Sequence, residues 1–478
     1  MSSQSHPSSR PDIEKHPDPD PIAYEAEVYQ RGLRYQRPPF TFKPLEWERL
    51  AAERMSADTR GYVLGCAGTG ETARKNREAF GKWSIVPRRL ELGRSPKRNT
   101  TTTAIRGKGE DNNNKSGKVG VFPDLSVNVL GRKLPYPIAC APVGVQKIMN
   151  PDGELAAARA AAREGVPFIL STASSSSIED VARASDSGAE EEGGKGKGKW
   201  EGKAERWFQL YWPAREHDDI TVSLLERAKK AGYRVLVVTL DTYILGWRPS
   251  DMDNGYNPFL RSDQVGIAIG LSDPAFRSHF KEKHDGVSVD DNLGAAAAEW
   301  TRTIFPGTNH TLDDVSFLRQ HWDGPLVLKG IQSACDARAM AASGLVDGIV
   351  VSNHGGRQAD GGTSSLGALQ GIVSAIRAVN ASAPDGGEGK GKAQVQVLFD
   401  SGIRSGADVA KALALGADMC LVGRPYVYGL VLGGEEGVAH VLRSLLGDLE
   451  LTLHLSGVGS VAKEDLNRGV LVREDELF

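Results

Sequence analysis

Residues 395–425, VQVLFDSGIRSGADVAKALALGADMCLVGRP, read as a strand, a helix and a second strand. The runs VQVLF and MCLV are apolar at nearly every position, so each is buried on both faces, as strands of a parallel sheet are. Between them lies an Ala-rich segment that opens at Gly406-Ala407-Asp408 and stops at Gly416, the start and stop signals of a helix. Towards the N-terminus the same unit recurs. Apolar runs occur at PIACAPVG (137–144), VPFILST (166–172), RWFQLYW (206–212), RVLVVTLD (234–241), PLVLKG (325–330) and GIVVSN (348–353). PDGELAAARAAAREG (151–165) is another Ala-rich helix between two of them. With the pair at 395–402 and 419–425 there are eight strands, and eight βα units close into a (β/α)8 TIM barrel. An open doubly wound sheet is the alternative, but no GxGxxG follows the first strand.

The 478 residues are ample for such a core, and 40% hydrophobic with 25% charged residues is ordinary for a soluble protein. A net charge of −3 provides no electrostatic footprint for nucleic acid. No run of about 18 apolar residues occurs, so no membrane span is expected. The N-terminal MSSQSHPSSRPDIEKHPDPDP lacks the apolar core of a signal peptide, and the final Glu-Leu-Phe is neither a peroxisomal nor an ER-retention ending. Cys66, Cys140, Cys335 and Cys420 form no CxxC pair, which argues against a zinc site or disulfide framework and for a reducing, cytoplasmic setting.

Residues 1–20 read as a disordered tail, and 21–478 as one domain that begins with a helical segment. Three Gly-, Lys- and Glu-rich stretches, at about 101–118, 185–203 and 382–392, read as solvated loop insertions. The GKGKGK run in the second lacks the preceding strand and the Ser/Thr of a phosphate loop. A long insertion of about 250–324 follows strand 4, more than a crossover helix needs. It reads as a mobile lid over the site, or equally as ordinary helices packed outside the barrel.

Chemistry in such a barrel collects at the C-terminal ends of the strands. Those ends read APVG, STAS, QLY, TLD, LKG, SNHGGRQ, FDSG and VGRP. The most informative is SNHGGRQADGG (352–362). The His354 imidazole titrates near neutral pH and can accept a proton from an alcohol or a C–H. Beyond two glycines, the Arg357 guanidinium can grip a carboxylate bidentately and so position an organic acid. DSGIRSG (400–406) and VGRP (422–425) place Gly and Arg after strands 7 and 8, where barrels hold phosphate. A phosphorylated substrate or cofactor is implied, with Asp400 available to a ribityl chain. Lys329 ends an apolar strand, where an unpaired cation is costly, so it needs an anion such as a reduced flavin.

SNHGGRQ, LVVTLDT, FQLYW and the DSGIRSG–GRP pair resemble the FMN-dependent L-2-hydroxy-acid oxidases and dehydrogenases, from about Tyr62 to Tyr428 apart from the inserts. Within that family, VTLDTYILGWRP followed by a long segment before PLVLKG is most similar to the lactate 2-monooxygenase branch. The resemblance implies that His354 accepts the substrate proton and that Asp241 orients it. It also implies that Arg357 and Tyr62 hold the substrate carboxylate and Tyr211 the hydroxyl side, with Arg248 nearby. FMN is implied as cofactor, held by Ala141, Pro142, Val143 and Gly144, and by Ser171, Gln209, Thr239, Lys329 and Ser352. Its phosphate is expected at Asp400, Ser401, Gly402, Ile403 and Arg404, then at Gly423 and Arg424. No metal is implied. The implied partners are a small L-2-hydroxy acid and O2, in a homo-oligomer without nucleic acid or membrane.

Gly144 stands where many oxidases of the family carry Ala, which implies room for O2 above the ring. Retention of the product beneath a lid would then lead to oxidative decarboxylation. GYVLGCAGTGET (61–72) departs at Cys66 and Thr69 from the family's Gly-Ala-Gly followed by an acid. No histidine lies between residues 17 and 216, so an attached haem domain is not expected. Two other functions were weighed: the same chemistry on a larger 2-hydroxy acid, and a catalytically silent flavin-binding barrel. The joint presence of Tyr62, Tyr211, Asp241, His354 and Arg357 argues against silence.

Overall fold

The computed structural model describes residues 21–89, 122–190, 204–260, 265–382 and 394–477. The eight apolar runs become the strands of a closed parallel barrel: β1 Ile138–Cys140, β2 Phe168–Ser171, β3 Arg206–Tyr211, β4 Leu236–Thr239, β5 Leu326–Ile331, β6 Gly348–Val351, β7 Gln396–Phe399 and β8 Met419–Val422. Cys420, Leu421 and Val422 of β8 pair with Ile138, Ala139 and Cys140 of β1, which closes the ring. Around it run α1 Gly153–Arg163, α2 Ile178–Glu190, α3 Asp218–Lys230, α4 Val315–His321, α5 Ala334–Ser343, α6 Ser365–Ser382, α7 Gly406–Ala414 and α8 Arg424–Leu455. The N-terminal segment is helical over Pro21–Gly32, Pro44–Arg54, Ala57–Leu64 and Glu71–Gly81.

The strands are apolar throughout because both of their faces are packed. One set of alternate positions, including Leu170, Leu210, Val238 and Leu328, joins the helices in the main core. The other set forms a separate cluster inside the barrel, with Ala139, Ile169, Trp207, Val237, Val327 and Leu398 among its members. Val129, Leu130 and Leu134 belong to that cluster and come from the hairpin of Val127–Val129 and Arg132–Leu134, which plugs the floor. Side chains on a strand alternate with a period of two. Two residues further along six of the eight interior rows the apolar residue gives way to a polar one. Ile169 leads to Ser171, Trp207 to Gln209 and Tyr211, Val237 to Thr239 and Asp241, Val327 to Lys329, Val350 to Ser352, and Leu398 to Asp400. The rows that fill the floor of the barrel thus aim polar groups into its mouth.

The expected tail 1–20, the stretch 101–118, and residues 191–203 and 383–392 of the other inserts lie outside the described residues. The front of the second insert is not a loop. Ser185–Glu190 complete α2, where Ser185 and Gly188 are buried. A Cβ on Gly188 would lie 2.4 Å from the Arg159 carbonyl oxygen of α1. The small residues that read as loop-forming are what the close approach of two helices requires. Ser382 likewise closes α6.

The insertion after β4 includes helices Pro249–Asp253, Ala268–Leu271, Pro274–Lys283 and Leu293–Ile304. Phe276, Phe280, Trp300 and Ile304 are buried, and Phe276 and Trp300 meet edge to face at 5.1 Å. Arg227 of α3 reaches Asp273 at 3.1 Å. This later part packs as helices outside the barrel, the second of the two readings. The earlier part meets the strand-end loops, where the Gly246 N–H donates to Gln358 Oε1 (3.2 Å) and Arg248 Nε to the Arg357 carbonyl (3.0 Å). Among the described residues no helix is long and apolar enough to cross a membrane, and no group of three or more His, Cys, Asp or Glu could hold a metal ion.

Candidate active site

Beyond β6 the chain turns sharply. His354 adopts a left-handed φ of 57°, followed by Gly355 at 68° and Gly356 at 76°. Glycine tolerates that region, whereas for histidine it costs about 1–2 kcal/mol and marks a functional constraint. Hydrogen bonds hold the turn. The His354 N–H donates to Ser352 Oγ, the Gly355 N–H to Ser401 Oγ, and the Gly356 N–H to Asn353 Oδ1, each at 3.1 Å. A Cβ on Gly356 would lie 2.5 Å from the Ala73 backbone nitrogen, so helix Glu71–Gly81 lies directly against this turn.

That helix also fixes the turn through a buried amide pair. Asn76 Nδ2 donates to Asn353 Oδ1, and Asn353 Nδ2 to Asn76 Oδ1, both at 2.8 Å. Arg77 of the same helix donates to the Gly402 carbonyl and reaches Asp408 at 3.2 Å, which ties it to the loop after β7. Replacing Asn76 by alanine leaves the Asn353 amide partly unpaired inside the protein. The expected loss is about 1–3 kcal/mol of stability, together with slower substrate oxidation because the His354 turn loses its brace. Thermal unfolding and single-turnover kinetics on the same sample check both.

His354 Nδ1 and Asp241 Oδ1 are 2.7 Å apart. Thr242 Oγ1 donates to the same carboxylate oxygen at 2.7 Å. The other oxygen, Oδ2, faces Lys329 Nζ at 3.4 Å, and that ammonium also donates to Ser352 Oγ (3.1 Å) and lies 3.6 Å from Asp400 Oδ2. Burial works to raise the Asp241 carboxyl, but the Lys329 ammonium and the His354 ring hold it well below the usual carboxylate range. Burial lowers the His354 ring and outweighs the Asp241 charge that would raise it. Lys329 is raised despite burial, because two carboxylates flank it. At neutral pH the set is therefore an ionised Asp241, a charged Lys329 and a neutral His354. An ionised Asp241 only accepts, so the ring proton sits on Nδ1 and Nε2 keeps its lone pair. The anion expected for Lys329 is supplied by the protein itself, through Asp241 and Asp400.

The substrate-side residues converge on the same mouth. The buried Tyr211 phenol is raised by burial and feels Tyr62, Asp241, Arg248 and Arg357. The Arg357 guanidinium sits 4.9 Å from the centre of the Tyr62 ring and donates to the Tyr62 and Gly65 carbonyls. Burial and the neighbouring Arg248 push Arg357 down to about 10, so it remains charged at neutral pH. Arg248 is anchored by Gln358 Oε1 at 2.6 Å. A buried and a half-buried guanidinium beside two phenols can receive a carboxylate.

The expected FMN residues fit a flavin. Gln209 is buried, its Oε1 accepts the Thr172 N–H (3.2 Å), and its Nε2 is enclosed without a partner, a donor awaiting a ligand acceptor. Ser171, Thr239, Lys329 and Ser352 share its interior rows, and Ala141, Pro142, Val143 and Gly144 follow β1. After β7, Ser401 takes a φ of 83° and Gly402 one of 101°, shaping the loop through Ile403 and Arg404. Gly423 precedes the start of α8, a helix N-terminus of the kind that can receive an anion. Arg424 does more than was expected of it. Its Nε, Nη1 and Nη2 donate to the Val63, Gly355 and Gly65 carbonyls at 3.1, 3.1 and 3.2 Å, stitching the His354 turn to the N-terminal segment.

The room expected at Gly144 is already filled. A Cβ there would lie 2.7 Å from the Ala173 carbonyl oxygen and 2.8 Å from the Ala173 Cβ. The missing methyl admits the neighbouring strand end, so Gly144 provides no argument for space above the ring. Gly144→Ala is expected to lose about 1–3 kcal/mol by overpacking and to weaken FMN retention, as thermal unfolding and flavin release on dilution would report.

Several contributors had escaped the sequence. Thr242 bridges the Asp241–His354 pair and stands next to the Asp in TLDT, so adjacency was an available signal. Asp360 accepts from the Thr69 N–H and Oγ1 (2.6 and 2.7 Å) and the Thr72 N–H (3.0 Å). The acid missing from the GCAGTGET turn is therefore supplied from the far side of the His354 loop.

An eight-stranded barrel whose mouth holds a half-buried Asp–His pair, paired arginines and the unpartnered Gln209 amide fits an FMN-dependent oxidoreductase. Residues 119–472 match the family model described as FMN-dependent dehydrogenase. The chain is 54% identical, over 95% of its length and 97% of the relative's, to an FMN-dependent alpha-hydroxy acid dehydrogenase of Schizosaccharomyces pombe. It is 35% identical, over 94% of its length and 97% of the relative's, to an L-lactate oxidase of Lysinibacillus sphaericus. A crystal structure of mandelate oxidase superposes with a TM-score of 0.65 at 30% identity, covering 88% of this chain and 96% of that one. The chain belongs to the FMN-dependent alpha-hydroxy acid dehydrogenase and oxidase family, and it oxidises alpha-hydroxy acids with FMN.

Proposed function

We propose that the protein converts an L-2-hydroxy monocarboxylic acid to the 2-oxo acid with O2 as electron acceptor. L-lactate is the smallest chiral acid that offers every group the site addresses. The 2.7 Å His354–Asp241 contact beside the Arg357–Arg248 pair carries this reading. Arg357, Arg248 and Tyr62 fix the carboxylate, and Tyr211 addresses the hydroxyl. His354 Nε2 takes one proton from the substrate, while the ionised Asp241 balances the charge that the ring acquires. FMN, when bound, would be the oxidant that takes up the two electrons and the second proton the substrate loses. Lys329, held between Asp241 and Asp400, would supply positive charge on the flavin side of the site. Asp400 to Arg404, Gly423 and Arg424 would hold the phosphate.

Use of O2 is supported by relatives named as oxidases, the L-lactate oxidase above among them. Oxidative decarboxylation of the lactate 2-monooxygenase kind requires that the 2-oxo acid stay beside the oxygen product. Within the lid expected over about 250–324, the stretch up to Phe259, with the residues from Tyr243 that lead into it, would be the part that delays release. Cytoplasmic residence and homo-oligomer formation belong to the same proposal; fractionation and sedimentation test them. One aerobic turnover of L-lactate, with pyruvate, acetate and hydrogen peroxide quantified, decides the outcome. Equal pyruvate and peroxide identify an oxidase, and acetate without free peroxide identifies the decarboxylating reaction. Flavin reduction that O2 does not reverse would overturn O2 as the acceptor.

A further inference from the structure

A cavity of about 310 Å³ opens against Tyr62 and Arg248 and runs beneath the segment that follows β4. Small-molecule pockets begin at about this size, and the methyl group of lactate would leave most of it unfilled. Its wall away from the arginine is built by Leu245, Met252, Tyr256, Pro258 and Phe259. The cavity is joined to the reacting centre on two sides. At one, Tyr62 lies against Arg357 and Arg248 donates to the Arg357 carbonyl. At the other, Phe259 packs on Phe305 at 5.3 Å between ring centres, and Phe305 on Tyr211 at 5.0 Å. A molecule whose carboxylate meets the arginines therefore has the cavity beside Tyr62 and Arg248 available to its third substituent, with the packed Phe259–Phe305–Tyr211 rings as a common wall. The charges along the cavity are Arg248, taken by the substrate's own carboxylate, and Asp251. A second carboxylate on the substrate would find no cation there and would face the Asp251 side chain.

We propose that this cavity is the side-chain subsite and that it selects 2-hydroxy monocarboxylic acids with a large, uncharged apolar substituent, aryl or longer alkyl, over lactate and over hydroxy dicarboxylates. The proposal rests on the reading of the site as a 2-hydroxy-acid oxidase. Selection comes from burial of apolar surface, which raises kcat/KM by about fourfold or more for each methylene enclosed. Met252 stands at the rim, 46% exposed, so a larger side chain at that position would narrow the entrance without disturbing the barrel.

The test uses the full-length FMN-loaded protein and two readouts. Anaerobic flavin reduction is measured with L-lactate, L-2-hydroxyhexanoate, L-mandelate and L-malate, and binding of the matching 2-oxo acids is followed by perturbation of the flavin absorbance. L-2-hydroxyhexanoate and L-mandelate are expected to exceed L-lactate in kcat/KM by about tenfold or more, with L-malate the poorest. Met252→Trp is expected to cut that preference by about tenfold. L-lactate equal to or better than both bulky acids overturns the subsite, as does a Met252→Trp variant that lowers every substrate in proportion. If bulky 2-oxo acids bind more tightly than pyruvate while no hydroxy acid reduces the flavin, the subsite stands and the oxidation reading falls.

Discussion

His354→Gln is expected to leave the protein yellow, with FMN bound as in the parent, and to slow anaerobic flavin reduction by about 10²–10⁴-fold, the usual contribution of a general base. Glutamine can still donate an amide N–H to Asp241, so the carboxylate keeps a partner and the barrel mouth keeps its charge balance. It offers no basic nitrogen in place of Nε2. The parent rate should fall as pH drops through the His354 pKa, because only the neutral ring accepts a proton. Burial lowers that pKa, so the acid limb lies below that of a free imidazole. In the variant this limb should disappear. Stopped-flow reduction across pH, normalised to flavin content, gives both results. A near-normal rate with an unchanged acid limb would remove His354 from the chemistry.

The parts of this site that were legible in the sequence share one cause. Barrel strands are apolar on both faces, so a polar residue on an interior row marks the point where floor becomes mouth. Lys329 and Asp400 were visible at such strand ends, and Ser171, Gln209, Thr239 and Ser352 came through the family resemblance; each stands two residues beyond an apolar neighbour of the same row. His354 and Arg357 gained meaning from sharing one turn. What stayed hidden depends on contacts between distant segments. Asn76 and Asn353 are 277 positions apart, and nothing local tells either amide that the other is its partner. The same holds for Asp360, which supplies the acid that the Thr69 turn lacks. Local composition misled where packing reversed its meaning. Ser-Asp-Ser-Gly after Ala184 resembles a loop, yet it finishes α2 because small residues allow α1 to approach. Gly144 resembles a vacancy, yet Ala173 fills it. Lys329 seemed to require an outside anion, although Asp241 on the adjoining row and Asp400 two rows away both reach it.

Asp241→Asn separates charge from shape. The amide is nearly the size of the carboxylate and can still accept at one atom, so the turn and the FMN site should persist. Two things change at His354. The ring loses the anion that demanded its proton at Nδ1, so the tautomer with the proton on Nε2 becomes accessible and the base is blocked. The imidazolium formed on proton transfer also loses its counter-charge, while Lys329 remains beside it with Asp400 as its only carboxylate, 3.6 Å away. Replacing the aspartate of a Ser-His-Asp triad by asparagine costs about 10⁴ in kcat through the same loss of tautomer and charge control, and a fall of about 10³–10⁴ in flavin reduction is expected here. The sign of the accompanying pH shift is fixed. Asp241 raises the His354 pKa in the parent, so its removal moves the acid limb to lower pH even as the plateau falls. A general loosening of the fold would instead lower FMN content and thermal stability and leave the limb in place. An acid limb that stays put or moves to higher pH in Asp241→Asn would show that Asp241 does not set the charge state of His354, whatever the loss in rate.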